Sequence, residues 1–329
     1  MRFVFRADAS VTQGSGHVMR CLTLAEEVAS RGHEVTFASN VESVPWLSKH
    51  LARKGYSQVP AVADALDAAA LLSLDPDWVI VDSYRIPVNS ISSLSQRVAL
   101  LAIVDGTTRG IDAGLYLEQN LGSDASPWPE VGDRMLAGSR YALVRDDILA
   151  QRRPDPSVVA PPVRLTAFMG GTDPSGTIVE VAARLRRVST TIELTIVAPA
   201  KWHDGVRESL AGLSAVVIEP TTALPSLLGS AHVIVSAAGT SAWDVCTLGI
   251  PAVFIGVVDN QSESLGEVVD RGLALGIDLT LGQSLDELAG AVDALATDMT
   301  LRRDMVSRCA SQFDGRGKRR VVDAMERRG

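Results

Sequence analysis

Cysteine is scarce. The 329-residue chain has three, Cys21, Cys246 and Cys309, odd in number, far apart and without the close spacing of metal ligands. That excludes a disulfide scaffold and fits a reducing compartment in which all three serve as small buried hydrophobes. Basic charge is also in deficit: 31 Lys and Arg stand against 39 Asp and Glu, for a formal net charge of -8. Such a balance argues against a nucleic-acid or membrane-surface partner and leaves any affinity for anions to a local pocket. No apolar run approaches the length of a membrane span. The N-terminus runs straight into a strand, not into the basic, apolar, small-residue series of a signal peptide. A cytoplasmic protein without membrane insertion is the expectation.

What the chain does hold is enough apolar residue, 46% against 21% charged, for two domains of ordinary size, each with its own core. The stretch around which it is organised is Arg6 to Arg20, R-A-D-A-S-V-T-Q-G-S-G-H-V-M-R. Phe3, Val4 and Phe5 before it read as a buried strand. Val18, Cys21, Leu22, Ala25, Val28 and Ala29 after it recur at helical spacing. A strand, a glycine-bearing loop and a helix start make an anion site: Gly14, Ser15 and Gly16 allow close backbone approach, and the free N–H groups of the first turn point at whatever sits above. His17 stands at its mouth, where the positive end of the helix favours the neutral ring, which can act as a base.

Further strands are expected at His33–Ser39, Trp78–Val81 and Val98–Val104, alternating with helical patterns, the signature of a parallel sheet covered on both faces. They end in Asn40, in Asp82-Ser83-Tyr84 and in Asp105-Gly106, and ligands of open α/β sheets bind beyond such carboxyl ends. Asp75-Pro76-Asp77 lies at the entrance of its strand, on the opposite rim, and is a turn rather than a metal motif. Glu118-Gln119-Asn120 and Tyr141–Arg145 read either as loop and edge-strand polarity or as part of the site. Gln151 to Pro162, with four prolines, cannot lie inside a central strand or helix and is the expected linker.

After it the opening pattern recurs. Val163–Phe168 is a strand, Gly170-Gly171-Thr172-Asp173-Pro174-Ser175-Gly176 a second glycine-bearing turn, and Ile178, Val181, Ala182, Leu185 and Val188 a helical stripe. Strands at Glu193–Val197, Val216-Val217, His232–Ser236 and Ala252–Ile255 follow, with Ala237 to Asp244 between the last two and Asp259-Asn260-Gln261 after them. The domains expected are 1–150, a linker at 151–162, and 163–329. The basic tail residues Arg302, Arg303, Lys318, Arg319 and Arg320 read as a solvated helix face.

R-A-D-A-S…G-S-G-H-V-M-R, the D-S-Y strand end, G-G-T-D-P, A-G-T-S-A-W-D…L-G-I-P and the D-N-Q triplet, in order from Arg6 to Gln261, resemble the UDP-sugar hydrolases of the pseudaminic acid pathway (PseG/SpsG-like). That family is similar to the GT-B glycosyltransferases of the MurG type, typified by the enzyme that adds N-acetylglucosamine to lipid-linked muramyl peptide. The resemblance implies an α/β GT-B fold, with two Rossmann-like domains of mainly parallel sheet facing across a cleft. It puts the nucleotide on the C-terminal domain and the sugar toward the N-terminal one. It implies His17 as general base, with Gly14, Ser15, Gly16, Asp82, Tyr84 and Arg145 on the substrate. Gly170, Gly171, Thr172, Gly239, Thr240, Ser241, Asp244, Asn260 and Gln261 fall on the nucleotide. The chain departs from the family at Ala238-Gly239-Thr240-Ser241, where Gly-Gly-Ser-Thr is usual, at Asp244, where Glu is usual, and at Arg145-Asp146-Asp147-Ile148, where R-x-E-F is usual.

The chemistry is coherent without a metal or cofactor. A nucleoside diphosphate is a good leaving group, so helix N-termini at Gly170–Gly176 and Gly239–Ser241 can stabilise its charge, and a base need only deprotonate water. One displacement implies inversion. The favoured function is hydrolysis of a UDP-sugar, UDP-2,4-diacetamido-2,4,6-trideoxy-β-L-altropyranose or a related one. A glycosyltransferase and a non-catalytic nucleotide-sugar-binding protein are the alternatives. Several residues keep a second role: Tyr84 as core, Asp244 as a helix-start acid, Asp8 as a loop cap paired with Arg6, and Arg20 as a phosphate ligand or a partner of Glu27 or Asp8. His33, His50, His203 and His232 are assigned no function.

Overall fold

In the computed structural model, which describes residues 1–124, 128–153 and 155–328, the chain divides into two compact units, Met1–Leu143 with Gly315–Gly329 and Val144–Asp314. Unit 1 contains β1 (Arg2–Ala7), α1 (Gly16–Ser30), β2 (Glu34–Ser39), α2 (Pro45–Lys54), β3 (Ser57–Pro60), α3 (Ala68–Leu72), β4 (Trp78–Asp82), α4 (Val88–Ser95), β5 (Ala99–Ile103), β6 (Leu115–Glu118) and β7 (Met135–Ala137). Its strands form one sheet in the order β3-β2-β1-β4-β5-β6-β7, every neighbouring pair parallel. Helices on both faces explain why β1, β4 and β5 are apolar on successive residues rather than alternate ones. Phe5 stacks on Phe37 with ring centroids 5.2 Å apart at the centre of one core layer. Each such buried aromatic contributes roughly 1.5–3 kcal/mol of transfer free energy.

Unit 2 contains α5 (Asp146–Leu149), β8 (Val163–Phe168), α6 (Thr177–Leu185), β9 (Ile192–Val197), α7 (His203–Ser209), β10 (Ala215–Ile218), α8 (Leu224–Ser230), β11 (Val233–Ala237), α9 (Ser241–Leu248), β12 (Ala252–Gly256), α10 (Ser262–Asp270), β13 (Leu275–Asp278), α11 (Leu288–Thr297) and α12 (Met299–Gln312). The sheet order is β10-β9-β8-β11-β12-β13, again parallel. The strand order reverses between β1 and β4 in the first unit and between β8 and β11 in the second. In a sheet wound this way the crevice lies outside the carboxyl ends of those two strands.

The last helix, α13 (Gly317–Glu326), corrects the expected domain 163–329. It belongs to unit 1: Val321, Val322, Ala324 and Met325 enter the core beneath α1, and Arg31 of α1 binds Asp323 and Glu326 at 2.7 Å each. Gly317 has no substitute there, because a Cβ would collide with the Ala142 carbonyl oxygen. The proline-rich segment is likewise no free linker. Arg152 donates to the carbonyls of Thr247 (2.9 Å) and Phe313 (2.8 Å), and Arg302 donates to that of Ser157 at 2.8 Å. The segment straps unit 2; of the expected linker, Pro154 lies outside the described residues. Prolines forbid regular structure but leave the segment's carbonyls and its arginine side chains free to bond to neighbouring elements, so a composition that reads as a linker also suits a strap.

Candidate active site

The switch point of unit 1 collects the residues of the opening motif. Gly14, in the left-handed region at φ 86°, turns the chain after β1 and bonds back to the Ser10 carbonyl at 2.9 Å. The helix then starts at Gly16, with no side chain capping its first turn. This sets His17 over the sheet end, where the register aligns Ala7 of β1 with Asp82 of β4. His17 Nδ1 lies 2.6 Å from Asp82 Oδ1. A carboxylate can only accept, so Nδ1 carries a proton and donates it, and in the neutral ring the lone pair is the one on Nε2. Burial alone would push the Asp82 carboxyl up. Arg20 and then His17 outweigh it and hold the group below the ordinary carboxylate value, so Asp82 stays an acceptor.

One helical turn on, Arg20 reaches the same crevice. Its guanidinium gives Nε to Asp82 Oδ2 at 2.5 Å and Nη2 to Asp82 Oδ1 at 2.7 Å. It also gives Nη1 and Nη2 to Asp105 at 3.0 and 2.8 Å. Asp105, just past β5, also accepts from the Tyr84 hydroxyl and from Asn120 Nδ2 at 2.9 Å. Burial opposes its ionisation, but Arg20, Tyr84 and Asn120 hold it well below the usual carboxylate range. The two carboxylates in turn raise the Arg20 guanidinium against the effect of its burial. Tyr84 closes the cluster, its ring T-shaped to that of His17 at 4.7 Å between centroids and part of its surface exposed. Arg109 fixes its backbone by donating to the Ser83 and Tyr84 carbonyls at 2.7 and 2.5 Å. At the far end Glu118, fully buried, accepts from the backbone N–H groups of Gly106 and of Asn120 (3.0 Å).

The structure thus brings His17, Asp82 and Tyr84 together with the Gly14-Ser15-Gly16 loop. Arg20 pairs with Asp82 and Asp105 rather than with Glu27 or Asp8. Asp8 is held elsewhere: it pairs with Arg6 at 2.5 Å and accepts from the N–H groups of Asn40 and Asp64, a buried brace of the loops around it. Asn120 and Glu118, which the sequence left between loop and site, join the network. The signal for them was a polar triplet directly after the apolar Leu115–Leu117.

Arg145, expected on the sugar side of the first domain, lies instead in unit 2, its Nη2 3.4 Å from Asp244 Oδ2. It follows the boundary at Val144, which falls before the expected linker. Asp244, in the first turn of α9, is pushed up to about 6, by burial first and by Asp147 against the pull of Arg145. Around it the switch point of unit 2 gathers Gly239, Thr240 and Ser241. Gln261 faces them: its Nε2 would lie 3.5 Å from a Cβ at Gly239, and its Oε1 accepts from the Val257 N–H at 3.0 Å. No side chain caps α9.

The expected anion site at Gly170–Gly176 needs correction in its mechanism. The carboxylate of Asp173 accepts from the N–H groups of Thr177 and Ile178 at 3.1 Å each. The start of α6 is therefore already occupied by the chain's own carboxyl group, and of the two helices that follow β8 and β11 among the described residues α9 is the one with an uncapped first turn. Asp75 and Asp77 bind Arg2 on the opposite rim, as a turn there should. Among the described residues no helix is long and apolar enough to cross a membrane.

No protein-family model matches the chain. It is similar to the spore coat polysaccharide biosynthesis protein SpsG of Bacillus subtilis (strain 168), 21% identical over 347 aligned residues that span 97% of this chain and 96% of that protein. Among solved structures it is similar to MurG of Acinetobacter baumannii, with a TM-score of 0.69 at 14% identity, covering 99% of this chain and 100% of the other. It is similar too to the UDP-GlcNAc 2-epimerase from Neisseria meningitidis bound to UDP-GlcNAc, with a TM-score of 0.66 at 11% identity and coverage of 99% and 100%. The fold is GT-B, two Rossmann-like units of parallel sheet, as the motif resemblance implied.

Proposed function

We propose that the protein is an enzyme acting on a nucleotide sugar, and that it hydrolyses a UDP-sugar with His17 as the base. The observation behind this reading is the His17–Asp82 pair at 2.6 Å, which leaves Nε2 as a proton acceptor at the mouth of a glycine loop. In the step proposed, Nε2 takes a proton from water as the oxygen attacks the anomeric carbon. The bond from that carbon to the diphosphate oxygen breaks, and its electron pair leaves with UDP. The free sugar is released with inverted configuration, and Asp82 stabilises the imidazolium. Gly14 turns the loop, Ser15 and Gly16 offer backbone N–H groups to the sugar's substituents, and Tyr84 offers the exposed part of its ring.

The UDP moiety falls to Gly239, Thr240 and Ser241 for phosphate, Asp244 for the ribose hydroxyls, and Gly170, Gly171, Thr172, Asn260 and Gln261 around them. The distant likeness to SpsG and the quoted motifs support this assignment. A second reading, transfer of the sugar to an acceptor hydroxyl deprotonated by the same His17, is favoured by the likeness in fold to MurG and to the calicheamicin glycosyltransferase CalG4. The test is UDP release from UDP-sugars by purified protein without acceptor. Stoichiometric UDP and free sugar at many turnovers supports hydrolysis. Release that starts only on addition of an acceptor alcohol supports transfer.

A further inference from the structure

Two backbone N–H groups, those of Gly106 and Asn120, aim at different oxygens of one buried carboxyl, Glu118 at the end of β6. Each belongs to a residue that holds Asp105: Gly106 follows it in the chain, and the Asn120 side chain donates to its Oδ1 at 2.9 Å. Asp105 in turn holds Arg20, and Arg20 holds Asp82 against His17. The charged groups facing Glu118 are Asp105, from the loop after β5, and Arg20, from α1. Its neighbour on β7, Ala137, and the Gly138 and Ser123 groups that bond its backbone oxygen carry no charge.

We propose that Glu118 is a positioning residue for the histidine site, and that the Asp105–Arg20–Asp82 arm is fully assembled only when its carboxyl is ionised, so that catalysis needs two deprotonations, at His17 and at Glu118. This rests on the assignment of His17 as base. A carboxylate accepts from both N–H groups at once. A carboxylic acid keeps one good acceptor and offers the other N–H only a weaker hydroxyl oxygen, loosening either the peptide after Asp105 or the amide upon it. Burial first, and Asp105 second, push the group up to about 7, so the change falls in the working range of the imidazole. Glu118 touches neither His17 nor the open crevice, and acts through Asp105.

Two measurements test this. In the first, the side-chain amide resonances of Asn120 are followed by NMR from pH 5 to 9 in ligand-free protein. The wild type should shift with a midpoint near 7, and Glu118→Gln, in which an amide replaces one acceptor at every pH, should not. A flat wild-type signal, or the same titration in the variant, overturns the proposal. Should that variant not fold, the same shift must persist in His17→Asn, where no imidazole remains to cause it, and its loss there overturns the proposal.

In the second, the wild-type log kcat for UDP release should fall on acidification with a slope steeper than one over the pH unit below about 7, and that of Glu118→Gln with a slope of no more than about one. The variant should lose kcat roughly tenfold or more at pH 8, with KM nearly unchanged, as when one hydrogen bond to a charged group is lost. Glu118→Asp, which keeps a carboxylate, should recover part of the loss. Equal slopes overturn the catalytic half. Protein that turns over no nucleotide sugar defeats the functional reading instead, while the Asn120 titration still decides for or against the arm.

Discussion

Replacing Asp82 by asparagine keeps the shape of the residue beneath His17 and removes its charge, and the surrounding donors dictate the outcome. Asp82 accepts from His17 Nδ1 and Arg20 Nη2 on Oδ1 and from Arg20 Nε and, at 3.9 Å, the Cys21 thiol on Oδ2. An amide NH2 must oppose the donors on one oxygen or the other. If its NH2 replaces Oδ1, it donates to Nδ1, the ring proton moves to Nε2, and the base is gone, a loss of ~10²- to 10⁴-fold. Arg20 tolerates this placement, since its Nη2 keeps Asp105.

If the NH2 replaces Oδ2, the ring keeps its tautomer, but the imidazolium formed during turnover loses its counter-ion. A charge pair about 4 Å apart at an effective dielectric near 20 is worth about 4 kcal/mol. Arg20 shares the carboxylate, and if half of that remains for His17, the loss is about 2 kcal/mol, or roughly 30-fold in rate. Either placement predicts a fall in kcat of at least about 30-fold with UDP binding intact. The assay is acceptor-free UDP release, with calorimetric UDP binding and a melting curve as controls. A folded Asp82→Asn protein within threefold of wild-type turnover would refute the tautomer argument.

Asp244→Ala should weaken UDP binding more than it slows turnover, because the residue is assigned to the nucleoside end. In the wild type UDP affinity should fall as pH drops through about 6, where the Asp244 carboxyl takes up its proton; calorimetry at pH 5 and 8 checks both. Turnover should survive EDTA, since the uncapped start of α9 can face the diphosphate, and a loss restored by magnesium or manganese would contradict that role. The raised Glu118 carboxyl binds its proton more tightly folded than unfolded. Its contribution to stability is therefore complete below its unfolded value near 4.5 and is lost as pH rises through about 7. Glu118→Gln should accordingly show a flatter melting temperature between pH 5 and 8.

The parallel sheets were legible because strands buried on both faces are apolar at successive positions, as Phe3-Val4-Phe5 and Trp78–Val81 are. Of the strands at the sheet edges, β10 was read at Val216-Val217, but β3, β7 and β13 were not. β3 is Ser-Gln-Val-Pro, largely exposed and ended by a residue that cannot donate to a ladder, and nothing in such a composition separates it from a loop. The site was legible as far as chain proximity to a strand end reaches, which covered His17, Asp82 and Tyr84. What Arg20 binds was not, because its partners lie 62 and 85 residues away and only sheet order makes them neighbours. Arg145 was misassigned for the opposite reason: closeness in sequence to the first sheet outweighed a boundary that no proline or glycine marks. Asp173 is a further case, since a glycine-rich turn before a helix reads alike whether its N–H groups await a ligand or already hold the chain's own carboxylate.

The central claim is that His17 is the base, and the most direct measurement is UDP release against pH for wild type and His17→Asn, each shown folded by its melting curve and competent to bind UDP by calorimetry. The wild-type rate should fall on acidification as the imidazole takes up a proton, and the variant should bind UDP normally yet turn over ~10²- to 10⁴-fold more slowly, without that histidine limb. Near-wild-type turnover in His17→Asn, with an unaltered acidic limb, would contradict the account and move the search for a base to Asp8, Asp82 or Asp105.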